Sequence, residues 1–183
     1  VYSRPLALVP PQWTVRNFAR VLGVVPLNVA VAEGGSGQHF DFLSGVRNSF
    51  LVSSIITASQ VFFSSLAAYA FARLRFAGRN VIFRIYLSAL VVPAVVTLIP
   101  NFILVRDLGL LNRISGIVAP FLFMTPFAVF FMRQFMLGIS RELDEAATIE
   151  GAGPFRILFQ IILPMSGSAI ATLSIITFIT SWN

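Results

Sequence analysis

Ser36, His39 and Asp41 stand close enough in the chain to suggest a nucleophile, a base and an acid, and Gly34-Gly35-Ser36-Gly37-Gln38 begins like the tight turn that exposes a catalytic serine. Acyl transfer on that pattern would need a closing glycine and a strand–turn–helix setting, and Gln38 stands where the glycine belongs. Three polar residues in a glycine-rich stretch read instead as a solvated turn. His39 is the only histidine and cysteine is absent, so multi-histidine and thiolate metal sites are excluded. All 13 basic residues are arginine. A phosphate loop of the G-x-x-x-x-G-K-[ST] type, which needs lysine, is therefore excluded too. No catalytic residue, metal or bound cofactor is expected. What remains is one acid-bearing segment, Glu145-Ala146-Ala147-Thr148-Ile149-Glu150-Gly151, followed by Ile161-Ile162-Leu163-Pro164.

That segment sits in a chain with 57% hydrophobic and 11% charged residues, outside the range of a water-soluble domain. A helix needs about 20 apolar residues to cross a bilayer. Four stretches meet that length, at about 49–72, 81–105, 114–137 and 165–183, behind an extracytoplasmic segment at 1–47. The expected fold is an all-α polytopic transmembrane bundle. Val1 is not a methionine and the last apolar stretch runs to Asn183, so the chain reads as an internal fragment of a longer protein.

The net charge of +6 is best assigned to membrane orientation. Arg73, Arg75, Arg79 and Arg84 crowd one short loop with no acid among them, and Arg133, Arg141 and Arg156 bracket the loop at about 138–160. The density of arginine places both loops in the cytoplasm. Ahead of the spans, Thr14 can cap a short helix carrying Val15, Phe18, Ala19 and Leu22 on one face, with Gly23 as its stop. That face could pack on the next span or lie on the membrane.

Within the first span, Ser49, Ser53, Thr57 and Ser65 form one stripe of small residues, and Ser64, Ala68 and Ala72 a second. Such stripes let helices approach closely in lipid, so this span belongs in the centre of the bundle. Pro93, Pro100, Pro120 and Pro126 predict kinks in the next two spans.

In the cytoplasmic loop, Ser140 is a plausible N-cap, and Glu142, Asp144 and Glu145 favour the positive end of a helix. Leu143, Ala146, Ala147 and Glu150 fall on one predicted face. Gly151 can end that helix in a left-handed conformation, and Pro154 can open a second one, Phe155 to Leu163.

The spacing from Glu145 through Gly151 to Leu163-Pro164 resembles the cytoplasmic "EAA" loop of binding-protein-dependent ABC importer permeases. The resemblance extends to Trp13–Asn17, to Asn48-Ser49, to the run Ala67–Gly78-Arg79, and to Phe178–Asn183. These are similar to sugar-importer permeases of the maltose type, lacking the family's first and last spans. The resemblance implies a permease subunit of the type I importer fold in the inner membrane of a prokaryote. Its partners would be a second permease subunit, two ATP-hydrolysing subunits and an extracytoplasmic solute-binding protein. It also implies that Glu145, Ala146, Ala147, Glu150, Gly151, Leu163 and Pro164 form the element coupled to the ATPase. The small alanines would let the helix sit deep in a partner's cleft. Glu150 stands where the family commonly has Asp. Gly167-Ser168 replaces a frequent second proline, so a straighter approach to the last span is expected.

The spans from Ile85 to Val105, Ile114 to Met132 and Ile157 to Asn183 contain no charged residue. Proton- and ion-coupled transporters usually carry one at membrane depth, so this weighs against an ion-coupled secondary transporter. It suits a neutral, hydroxyl-rich solute such as a sugar. A polyol or glycerol phosphate remains an alternative cargo, and a non-transporting membrane protein an alternative class. Ser88, Thr97, Asn101 and Thr125 are the candidate pathway-lining groups.

Overall fold

Apolar runs punctuated by proline fold here into helices that are long but seldom straight. A computed structural model describes residues 15–32 and 41–182. Ser36 and His39, and Thr14 with its expected capping role, lie outside the described residues, as does the whole glycine-rich loop at 34–38.

The chain divides into two units, Val1–Asn48 and Ser49–Asn183. In the first, α1 (Arg16–Val21) ends at Gly23, whose φ of 72° is the left-handed turn expected of it. Val15 and Phe18 are exposed. α2 (Leu27–Ala32) follows. Asp41 caps the start of α3: its carboxylate accepts from the backbone N–H and the hydroxyl of Ser44, at 3.1 and 2.5 Å.

α3 (Phe42–Arg73) is the one described helix long and apolar enough to cross a membrane unaided. It begins seven residues before the expected span. Its buried residues include Ser53, Ser64, Ser65, Ala68 and Ala72, the small residues that the sequence places at helix contacts. The main core gathers at the Arg73 end. There Ala68, Tyr69 and Ala72 pack with Phe83, Val129, Met132, Met136, Ile157, Leu158, Ile162 and Leu173 from the later helices.

The second expected span is broken rather than kinked. α4 (Arg79–Ser88) runs into a 3-10 turn, Ala89–Val91, and α5 (Ala94–Asp107) leaves it at 99°. Val92 is extended, as a residue before proline prefers, and Pro93 caps α5. Pro100, by contrast, is accommodated inside α5.

The third span bends by 50° between the pair α6 (Ile114–Val118) plus 3-10 turn Ala119–Phe121 and α7 (Pro126–Leu137). Pro126 has no N–H to offer the carbonyl of Leu122, four residues back. Ser59 Oγ of α3 donates to that carbonyl instead. Gln60 Nε2 donates to Phe121 O at 3.1 Å, and Tyr86 Oη to Met124 O at 3.0 Å. Side chains of neighbouring helices thus satisfy the backbone where this span opens, which is what makes such a break tolerable in lipid.

α8 (Glu142–Ile149) precedes a composite arm: α9 (Pro154–Ile157), a π-helical segment Leu158–Ile162, and α10 (Leu163–Met165). The last span is α11 (Gly167–Ser181). The arm meets α11 at 77°. The bend does not need a second proline. Pro164 removes one N–H, and buried Ser166 sends its Oγ back to Ile162 O at 2.7 Å, which loosens the helix ladder at that point. With each bent pair counted as one span, the described chain has up to four spans by length and composition.

Many large side chains remain uncovered. Val91, Val95, Leu98 and Ile99, near and within the first half of α5, are between 66% and 83% exposed. An apolar surface of that extent requires lipid or a partner subunit.

Candidate functional site

The loop between α7 and the composite arm is built as a cap, a helix and a turn. Ser140 Oγ accepts from the N–H of Glu142 at 3.3 Å, and Glu142, Asp144 and Glu145 occupy the first turn of α8. Their charge offsets the partial positive charge of the helix start. At the other end Gly151 has a φ of 84°. Its N–H reaches Thr148 O at 3.0 Å, and that of Ala152 reaches Ala147 O at 2.9 Å. This bond pair is how a left-handed glycine closes a helix. A β-carbon on Gly151 would meet nothing within 4 Å, so the need for glycine is one of backbone angle and not of space. Pro154 is the first residue of α9, as its fixed φ favours.

The register of α8 differs from the sequence expectation. Ala147 is 8% exposed and belongs to the main core. Its small side chain serves packing against its own bundle. Glu142, Glu145, Ala146 and Ile149 are exposed at spacings of i, i+3, i+4 and i+7, and form the free stripe. Ile149 is 88% exposed and Phe155, beyond the turn, 73%. Glu150 is also exposed. Leu163 packs against the core, and Pro164 lies exposed beside the 77° bend. The predicted coupling residues therefore split between an exposed stripe, a core contact and a bend.

Sequence reasoning missed the residue that holds α8 in place. Arg73, the last residue of α3, puts Nη2 within 2.7 Å of both Met136 O and Ile139 O, at the end of α7. Its Nη1 lies 3.2 Å from Asp144 Oδ2. The two side chains are 4% and 19% exposed. One guanidinium thus ties three elements together, and carbonyls at a helix C-terminus are favourable partners for its charge. Read as a marker of membrane orientation, Arg73 carried no hint of this. The acid-rich turn that follows α7 was the available signal. Nearby, Arg133 Nε donates to Phe71 O at 3.3 Å and its guanidinium lies 4.3 Å from the Phe83 ring centroid, a cation–π contact.

Of the candidate pathway residues, Thr97 and Asn101 line a cavity of about 700 Å³ between α5 and the α6 region, together with Asn112, Arg113 and Gly116. Ser88 and Thr125 lie outside its lining. Ser88 Oγ donates to Ile85 O at 2.7 Å, and Thr125 Oγ1 caps α7 by accepting from Ala128 N–H at 3.3 Å. Among the described residues no group of three or more His, Cys, Asp or Glu could hold a metal ion.

One long apolar helix and three bent apolar helix pairs, with a short acidic helix hung between the last two, define an all-helical membrane component. The chain belongs to the family of binding-protein-dependent transport system inner membrane components, whose profile matches residues 60–183. It is 38% identical over 136 residues to the arabinooligosaccharides transport system permease protein of Halalkalibacterium halodurans, covering 74% of this chain and 48% of that protein. It is 33% identical over 183 residues to the sn-glycerol-3-phosphate transport system permease protein of Yersinia pestis, covering 100% of this chain and 62% of that protein. The chain therefore spans about half to three fifths of the length of these relatives. Among solved structures, a chain from the crystal structure of a bacterial ABC transporter involved in the import of the acidic polysaccharide alginate matches with a TM-score of 0.57 and 26% identity. The match covers 92% of this chain and 67% of that one. The family is one of inner membrane components.

Proposed function

We propose that this chain is part of the membrane-spanning permease subunit of an ATP-driven importer for sugars. It forms part of the translocation pathway and passes motion to and from ATPase subunits through α8. The assembly contains a second permease subunit, two ATPase subunits and an extracytoplasmic solute-binding protein, and this chain itself holds no cofactor. The observation that carries the reading is the construction of α8. Its inner side is fixed by Ala147 and by the Arg73–Asp144 pair, while Glu145, Ala146 and Ile149 remain free on its outer side. A helix held rigidly on one side and bare on the other suits the transfer of displacement between two bodies. Gly151 and the Leu163-Pro164 bend then join that helix to the last span. Thr97 and Asn101 are the proposed pathway groups, and Ser88 and Thr125 act on the pathway through helix geometry.

The sugar assignment rests on the arabinooligosaccharide relative and on the absence of charge inside the spans. The glycerol phosphate relative, similar along the whole chain, favours a second reading in which the cargo is a polyol phosphate. Uptake by the full-length complex of labelled oligosaccharides and of labelled glycerol phosphate separates the two. Glu145→Lys tests the coupling role. It should reduce co-purification of the ATPase while the permease still inserts in the membrane, and unchanged co-purification with unchanged uptake would refute it.

A further inference from the structure

Arg75, Arg79 and Arg141 converge on one open cavity of about 440 Å³, lined also by Phe76, Gly78, Asn80 and Val81. It lies at the start of α4, where Gly78 takes a φ of 77° and turns the chain into the helix. No acid is among its lining residues. Arg79 is partly committed, since its Nη1 donates to Leu74 O at 3.1 Å and its Nε faces Asn80 Oδ1 at 3.4 Å. Arg75 and Arg141 are exposed and their guanidiniums meet no carboxylate or carbonyl among the described residues. Two guanidiniums without a carboxylate partner beside a third make the recess positive, with no acid among its lining residues.

The apolar surroundings identify what would neutralise it. Phe76 on the rim is 41% exposed, and Val81, Ile82 and Ile85, running away from the cavity along α4, are 51%, 49% and 67% exposed. A small anion would engage the arginines and leave that strip bare. A phosphate headgroup with acyl chains attached would cover both. We propose that this cavity binds the headgroup of an anionic phospholipid, with the acyl chains lying along α4. The proposal is independent of the cargo and of the docking role of α8. It requires only that α4 enters the bilayer from this end. Because Arg141 immediately precedes α8, a lipid bound here would bridge the first turn of α4 and the start of the helix proposed to face the ATPase. Arginine suits the task, since its planar fork meets two phosphate oxygens at once.

The test uses the full-length permease purified with its partner subunits in phosphatidylcholine nanodiscs doped with phosphatidylglycerol, with bound lipid counted by native mass spectrometry. Wild type should retain phosphatidylglycerol selectively, and excess inorganic phosphate should not displace it. Arg75→Gln with Arg141→Gln should weaken retention roughly twenty-five-fold, at about a factor of five for each surface arginine. Arg84→Gln, outside the lining, should leave it unchanged and controls for loss of general surface charge. Four results would each overturn the proposal. These are equal retention by the double variant, equal loss in Arg84→Gln, displacement by free phosphate, and loss of the ATPase subunit from the double variant with lipid retained, which would make the cavity a protein contact.

Discussion

Arg73 Nη1 lies 3.2 Å from Asp144 Oδ2, so the final residue of the longest helix is paired with the first turn of the short helix some seventy residues later. The same guanidinium holds Met136 O and Ile139 O. Any movement of α8 is therefore felt at the ends of both α3 and α7. Neither Arg73 Nε nor Asp144 Oδ1 has a hydrogen-bond partner among the described residues. The joint is strong but not saturated.

Arg73→Met should destabilise the permease by about 3–5 kcal/mol, because it leaves the Asp144 carboxylate buried without its partner. Charge reversal, Arg73→Asp with Asp144→Arg, should not rescue it, since a carboxylate at position 73 would repel the two carbonyls. Thermal unfolding of the purified complex measures both. Rescue by the reversed pair would reduce the joint to a simple ion pair.

At Gly151 the cost of substitution is conformational. Gly151→Ala should lose about 1 kcal/mol through its positive φ alone, and Gly151→Val more. Asn tolerates that region and should recover most of the loss. Uptake and coupled ATPase activity should rank Gly, Asn, Ala, Val. A flat ranking would show that the turn is not required.

The two sides of α8 should respond differently. Ala147→Leu overfills the core and should cost about 1–3 kcal/mol in stability. Ile149→Asp should leave stability nearly unchanged and reduce ATPase co-purification. If Ile149→Asp destabilises the permease as much as Ala147→Leu, the register described for this helix is wrong.

The loop carrying α8 should face the cytoplasm. The chain has no cysteine, so single cysteines at Ser140 and at Ser36 report cleanly. An impermeant thiol reagent added to intact cells should label Ser36→Cys and spare Ser140→Cys. The opposite pattern would invert the topology.

The long apolar helix α3, the burial of its small residues and the turn at Gly151 were legible because each follows from local composition: apolar length, small residues at helical spacing, and a glycine after an acid-started helix. The bends were legible only as positions. Pro93, Pro126 and Pro164 announce missing N–H donors, but the 99°, 50° and 77° angles depend on which neighbours take up the freed carbonyls. Ser59 and Gln60 do so for one break, from more than sixty residues away. The inner side of α8 was misread because an alternation of alanine with acid does not say which face meets the bundle. Arg73 was hidden by a good explanation of another kind, since an arginine at the end of a span already has a reason to be there.

The π-helical segment Leu158–Ile162 gives the arm a geometrical phase of its own. A wide turn holds one residue more than the α-helix would use, and one residue is about 100° of rotation. Side chains before and after it are therefore indexed out of step, like two gears meshed through an extra tooth. Leu158 and Ile162, at its two ends, are both fully buried. Deleting Phe159, which is 46% exposed, would remove the tooth and swing either α9 or the Pro164 hinge away from its present bearing. The expected result is a permease that inserts but neither imports nor responds to ATP. Normal uptake by that deletion would mean that the arm transmits no rotation.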